Sequence, residues 1–153
     1  AELFEVDRSD AKTRTPELME RFSLVPYSAQ RIENLSHGTR QRLAFASALL
    51  HEPEVIIVDE PMVGLDPKNA RVVKEELKER SRNGVTVFLS THLLNVAQEL
   101  SDRVGIINEG RLLELGTPEE ITRKVAGDES ASLEEVFLAV TEEGSSEIPA
   151  GEK

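Results

Sequence analysis

Apolar positions recur along this chain with two periods, and the alternation between them gives an element order. Leu18, Met19 and Phe22 form a helical stripe behind Thr15 and Pro16, which read as an N-cap and first helical residue. The segment "SLVPYSAQRIEN" keeps no period and carries a proline, so it reads as an irregular connection into Leu35. From Thr39 the helical spacing returns with Leu43, Ala46 and Leu50 on one face, until "HEP" at 51–53 stops it. Val55 to Val58 is a run of four β-branched aliphatics and predicts a strand. Asp66 as cap and Pro67 behind it open another helix, with Ala70, Val73 and Leu77 on one face and Asn83-Gly84 at its end. "VTVFLS", 85–90, predicts the next strand. Leu93, Val96, Ala97 and Leu100 mark a further helix, and 103–116 alternates around Glu109-Gly110 like a hairpin. Thr117 to Glu120 and Ser132 to Glu135 each show a capping-box pattern, and "GSSEIPAGEK" reads as a disordered tail.

A strand, a crossover helix and a second strand rich in Val, Ile and Phe make a βαβ unit, which implies parallel pairing in a sheet covered by helices. In such sheets ligands bind beyond the carboxyl ends of the strands. Asp59 and Glu60 follow the first strand, and Ser90, Thr91 and His92 follow the second, so topology brings two carboxylates and an imidazole to one edge. An acidic pair can simply solvate a strand end. It can also do two jobs: a carboxylate fixed there can hold a water-coordinated magnesium ion, and its neighbour can take a proton from an attacking water. Those are the needs of nucleoside-triphosphate hydrolysis. His92 is either a surface histidine or a polar contact to phosphate at that edge. Ser36 and Gly38 precede a helix whose free N–H groups suit a phosphate, although Ser36 also fits an ordinary N-cap.

Composition narrows the classes. At 153 residues with 39% apolar content the chain has the size and the apolar fraction of one globular domain. Its longest apolar or small-residue run, "LAFASALL" at 43–50, is far short of the ~20 residues of a membrane helix, and no charged-then-apolar leader opens it, so the expectation is a soluble chain. The absence of cysteine excludes a disulfide framework and a zinc-thiolate site and fits a reducing compartment. A net charge of −11, with no block of basic residues, argues against a nucleic-acid partner.

Four motifs in series carry a family resemblance. Leu35-Ser36-His37-Gly38 with Gln41-Arg42, the aliphatic strand ending Asp59-Glu60-Pro61, then Gly64-Leu65-Asp66-Pro67, then Ser90-Thr91-His92 resemble the signature, Walker B, D-loop and switch histidine of an ABC transporter ATPase domain. The likeness runs from about residue 3 to about residue 141. It implies an α/β fold of the P-loop NTPase kind, a mainly parallel sheet flanked by helices. Residues 1–50 would hold part of the helical subdomain and the signature helix, 51–116 the core from Walker B through the last strands, and 117–141 the C-terminal helices, with 142–153 as tail. ATP and Mg2+ are the implied ligands. Asp59 would support magnesium through water, Glu60 would be the general base, and His92 would contact the γ-phosphate and link to the D-loop. Gly64, Leu65 and Asp66 would lie near the seam of a head-to-tail dimer with a second ATPase domain, in which Ser36, His37 and Gly38 would act in trans.

The resemblance further implies a transmembrane permease subunit as partner and a cytoplasmic, peripheral place at the inner face of the membrane. The chain departs from the family's Leu-Ser-Gly-Gly-Gln at His37 and Thr39. That histidine form, with "SLEEVFLAV" at 132–140, is most similar to the ATPase subunits of multidrug and small-molecule exporters. No G-x-x-x-x-G-K-[ST] occurs, so the chain reads as a carboxyl-terminal portion without its own phosphate loop, expected to be inactive alone. Two other classes stay open: a non-hydrolysing module lending its signature to a partner's ATP site, and a non-transport ABC ATPase. The second would call for another cassette, a coiled coil or a basic patch, none of which the sequence contains.

Overall fold

The computed structural model describes residues 6–127 and 131–146 and divides into two compact units, one through Ser90 and one from Thr91. The fold is mixed α/β. Residues 1–5, where the resemblance was expected to begin, and 147–153 of the expected tail lie outside the described residues.

In the first unit, helix α1 spans Arg8–Arg21 and so begins well before the cap expected at Thr15. Asp7 is the actual N-cap, its carboxylate accepting from the backbone N–H of Ser9 at 2.9 Å and from the Ser9 hydroxyl at 2.8 Å. Pro16 lies inside α1, where it removes one helical donor. Two single turns of 3-10 helix, Val25–Tyr27 and Ile32–Asn34, occupy the irregular connection. Helix α2, His37–Leu49, starts two residues earlier than its apolar spacing predicts, because Ser36 caps it by accepting from the Thr39 N–H at 3.3 Å. Its buried positions are Thr39, Arg42, Phe45, Ala46 and Leu49, so the inward face is offset from the expected Leu43 and Leu50.

Arg42 explains the offset. Its buried guanidinium donates to the carbonyls of Phe22 at 2.5 Å and Ser23 at 3.3 Å and to the Thr39 hydroxyl at 3.2 Å. A charge supplied with acceptors in this way can sit inside, and it takes a place that hydrophobicity would award to leucine. Phe45 from the same face meets Phe22 edge-on, with ring centroids 5.5 Å apart.

Strands β1 (Val55–Asp59) and β2 (Thr86–Ser90) pair in parallel, from Val55 opposite Thr86 to Asp59 opposite Ser90. Helix α3, Pro67–Arg82, makes the crossover, capped by Asp66 and ended at Asn83 with Gly84 at positive φ. One of its inward residues is Glu76, only 1% exposed, whose carboxylate lies 2.5 Å from the Arg21 Nε and 2.8 Å from the Arg80 Nε. The Arg21 contact is an ion pair without hydrogen-bond alignment. The expectation of a sheet covered by helices holds for one face only: Ile56 is buried, but Val55, Ile57 and Phe88 on the other face are 55%, 76% and 63% exposed.

The second unit contains α4 (Leu94–Leu100), the antiparallel pair β3 (Val104–Asn108) and β4 (Arg111–Gly116), then α5 (Pro118–Ala126) and α6 (Leu133–Ser146). Its core is Ile106, Ile121 and Val136, with Val104, Leu113, Val125, Phe137 and Val140 against them. The hairpin turns at Glu109 and Gly110, both at positive φ. Both predicted capping boxes form. Thr117 accepts from the Glu120 N–H at 3.2 Å while Glu120 accepts from the Thr117 N–H at 3.0 Å. Ser132 and Glu135 exchange the same pair of bonds. Helix α6 runs to Ser146, so residues 142–146, expected as tail, are helical.

Candidate functional site

The carboxyl ends of β1 and β2 are tied together by polar groups. Asp59 is exposed and accepts from the Ser90 hydroxyl, its register partner. One residue on, the Glu60 N–H donates to the Ser90 carbonyl at 2.9 Å, so the pairing continues past the strand into the turn. Glu60 itself stands at φ +47, the left-handed region that a side chain with a Cβ occupies at a cost. Two donors hold its carbonyl: the Val63 N–H at 3.2 Å and the side-chain amide of Gln41, from α2, at 3.1 Å. Pro61 and Met62 are buried beneath the turn.

The turn then meets the start of α2. Gly64, at φ +77, lies so close to the His37 ring that a Cβ placed on it would stand 2.7 Å from the His37 Cδ2. A Cβ on Gly38 would stand 2.9 Å from the Gly64 carbonyl oxygen, closer than real Cβ atoms approach. Gly38 therefore requires glycine for the approach to main chain, and at Gly64 the positive φ favours glycine while a Cβ would also displace the exposed His37 ring. Leu65 is half-buried behind them, and Asp66 closes the turn by capping α3. The Asp66 carboxylate accepts from both the side-chain amide and the backbone N–H of Asn69, and these bonds, the side-chain one first, hold its carboxyl below the usual range.

The expected site residues thus divide between the two units. Ser36, His37 and Gly38 at the start of α2, Asp59 and Glu60 at the end of β1, and Gly64, Leu65 and Asp66 in the turn all belong to the first unit. His92 is exposed and belongs to the second, two residues past β2 along the chain; beside it the Thr91 hydroxyl accepts from the Leu93 N–H at 3.0 Å. Ser36 serves as an ordinary cap and also bonds the Thr39 hydroxyl at 2.9 Å, which leaves a hydroxyl's remaining capacity at an exposed position.

Two contacts were not legible in the sequence. Gln41 was part of a motif, but nothing local shows that a residue nineteen positions before Glu60 will reach its carbonyl. The packing of Gly38 on Gly64 was equally hidden, since glycine's use is set by what approaches it. A polar cavity in the same unit, lined by Arg21, Glu52, Glu76, Arg80, Asn83 and Val85, sits at the opposite, amino-terminal ends of the strands.

Among the described residues no three His, Asp or Glu side chains converge on a common point that would hold a metal. Asp59 fits the lighter requirement of magnesium, which keeps several waters and is commonly held by one or two carboxylates together with substrate phosphates. The serine bond occupies one oxygen and leaves acceptor capacity on an exposed carboxylate. Among the described residues no helix is long and apolar enough to cross a membrane.

Comparison with known proteins bears on what this arrangement is. A family model described as "AAA domain, putative AbiEii toxin, Type IV TA system" matches residues 25–97. The linearmycin resistance ATP-binding protein LnrL of Bacillus subtilis is 32% identical over 126 residues, covering 82% of this chain and 40% of LnrL. The solved structure of an ATP-binding subunit of an ABC transporter superposes with a TM-score of 0.84 at 31% identity, over 90% of this chain and 57% of that one. The chain belongs to the ABC transporter ATP-binding family. Other members of the family differ in what their names say they do: the phosphonates import ATP-binding protein PhnC of Ruegeria pomeroyi is 36% identical over 127 residues, 82% of this chain and 46% of PhnC. The ATP-binding cassette MJ0796, solved as a dimer in a post-hydrolysis state with ADP and Pi, matches this ABC chain with a TM-score of 0.65 at 26% identity, over 73% of this chain and 49% of that one. The chain spans less than half the length of the two curated relatives.

Proposed function

We propose that this chain carries the hydrolytic and signature portion of an ATP-hydrolysing ABC transporter subunit that powers an exporter through a separate membrane permease. The observation that carries the proposal is Glu60, held by bonds at both its N–H and its carbonyl, one residue past the exposed carboxylate of Asp59. A general base needs a defined position relative to the water it deprotonates, and two-sided anchoring of its main chain supplies one. Bound magnesium would neutralise charge developing on the phosphates. On this reading Asp59 would hold the magnesium ion through water, Glu60 takes the proton of the attacking water, and His92 contacts the γ-phosphate.

Ser36, His37 and Gly38 then meet the nucleotide of a second ATPase domain in a head-to-tail dimer, with Gly64, Leu65 and Asp66 near the seam. The dimeric state of the MJ0796 cassette supports that arrangement. Export is favoured by the His37 form of the signature and by the segment 132–140, and the cytoplasmic face of the membrane is where such a subunit would dock on its permease. A phosphate loop is absent from the sequence, so residues 1–153 by themselves should neither bind ATP tightly nor hydrolyse it.

The test uses the complete ATPase, this chain together with its P-loop segment. Glu60→Gln should retain ATP binding and slow hydrolysis by ~10² to 10⁴, the usual worth of a placed base. Turnover within about threefold of the parent removes Glu60 from that role. In a mixed dimer, Ser36→Arg on one chain should disable the site built on the other chain's P-loop. Loss of nucleotide labelling confined to the mutated chain's own site contradicts the trans assignment and leaves the hydrolytic one standing.

A further inference from the structure

Gln41 is a side chain from outside the turn that bonds the main chain of Glu60. Its Nε2 donates to the Glu60 carbonyl at 3.1 Å, while its Oε1 is buried without a hydrogen-bond partner. The amide orientation follows from that bond, because the reverse would set two acceptors against each other. A buried acceptor left unpaired is unfavourable by itself, so the donor bond is what keeps this amide in place. On the receiving side, Glu60 adopts φ +47, a backbone state that non-glycine residues hold only where their surroundings over-determine it. Its N–H is committed to Ser90, and its carbonyl to Val63 and Gln41. Without the Gln41 bond the carbonyl loses its partner from α2, and rotation toward the ordinary extended or helical regions, which would carry the Cβ to a new place, becomes cheaper.

We propose that Gln41 is a positioning residue for the carboxylate of Glu60: the amide of α2 fixes the carbonyl that sets the left-handed backbone from which the base projects. The proposal rests on the reading of Glu60 as general base. It assigns to the second turn of α2 a task distinct from any nucleotide contact at its start. Because His37 and Gly38 on that helix also pack on Gly64, the helix holds the turn at two points, and Gln41 is the one bonded to the catalytic residue's own main chain.

The experiment compares four forms of the complete ATPase: parent, Gln41→Met, Gln41→Glu and Glu60→Gln. Methionine keeps length and removes the donor. Its turnover should fall by ~10- to 100-fold, the range expected when a reacting group is displaced by about 1 Å, with ATP affinity within twofold of the parent. Glutamate can donate only as the neutral acid, and its half-buried place beside a carbonyl raises its titration range. Gln41→Glu turnover relative to parent should therefore be near normal at acid pH and fall as pH rises, a limb absent from the parent. A purely structural role would lower thermal stability without that limb, and a flat ratio across pH overturns the proposal even if Gln41→Met fails to fold. Gln41→Met turnover within twofold of parent, with Glu60→Gln slow, also overturns it and leaves the function standing. If Glu60→Gln is itself unimpaired, the reading of Glu60 falls, and the positioning role falls with it.

Discussion

Two strands in this molecule end in the same way and lead to different things. β1 runs Val-Ile-Ile-Val-Asp into Glu60 at φ +47, and β3 runs Val-Gly-Ile-Ile-Asn into Glu109 at φ +48. Beyond Glu109 the chain needs only to reverse, and Gly110, at φ +76 with open space around it, completes a two-residue hairpin in which both central residues have positive φ. Beyond Glu60 the chain enters a turn with Pro61 and Met62 buried, pressed by α2 and bonded through Gln41 and Ser90. A left-handed glutamate is thus no mark of function by itself. What separates the two is how many distant groups are spent on keeping it there.

Substitution of the two glutamates should break the resemblance most widely. In the complete ATPase, Glu60→Gln is expected to slow phosphate release by ~10² to 10⁴, whereas Glu109→Gln should stay within about twofold of the parent. Equal losses at both positions would mean that the anchoring around Glu60 is incidental.

The paired glycines come next. Gly64→Ala and Gly110→Ala both force alanine into the left-handed region, which costs roughly 1–2 kcal/mol. Only at Gly64 does the new methyl also displace a neighbour, the His37 ring, so urea unfolding should show Gly64→Ala to be about 1 kcal/mol worse than Gly110→Ala. Adding His37→Ala should recover most of that excess, since neighbouring sites are coupled. Additive losses would show that the ring moves aside freely.

The smallest effect concerns the exit of the turn. Asp66 leads into α3 as a charged cap, whereas the Glu109 turn leads directly into β4. The Asp66 carboxyl is held low by Asn69, so its contribution is complete above the ordinary carboxylate value of ~3.9 and is lost as pH falls through its depressed value. Asp66→Ala should lower the melting temperature near neutrality, and the gap from the parent should close in acid. A gap that is unchanged or wider in acid would exclude Asp66 as a charge-assisted cap.

Much of the architecture is legible from residue pattern. The hairpin at Glu109-Gly110, the Asp66 cap and both capping boxes rest on local chemistry within a few residues, and the βαβ unit on the order of its strand, helix and strand patterns. Most of the misses are long-range. Arg42 and Glu76 occupy inward helix positions because acceptors and donors from other elements meet them, and no periodicity rule grants a charge that place. Thr15-Pro16 looks like a helix start because proline is favoured there, yet Asp7 supplies a cap one residue before Arg8 and the helix tolerates the lost donor. Aliphatics on both faces of β1 read as a fully covered strand, and Ile57 and Phe88 would read identically whether covered or open. At the site, Asp59 and Glu60 are placed by topology. The bend of Glu60 is not, because nothing in glutamate's own preferences predicts positive φ.

The bond from the Glu60 N–H to the Ser90 carbonyl also sets a schedule for synthesis. A ribosome makes Glu60 first and its partner about thirty residues later, which at ~5–20 residues per second is a wait of ~2 to 6 s before both ends of that bond exist. The hairpin has no such delay, since Asn108 and Arg111 are partners almost as soon as they leave the tunnel. During translation Glu60 is therefore a residue of an unclosed crossover. Any pause between the codons for Glu60 and Ser90 prolongs the interval in which the nascent chain shows aliphatic strand β1 without its mate.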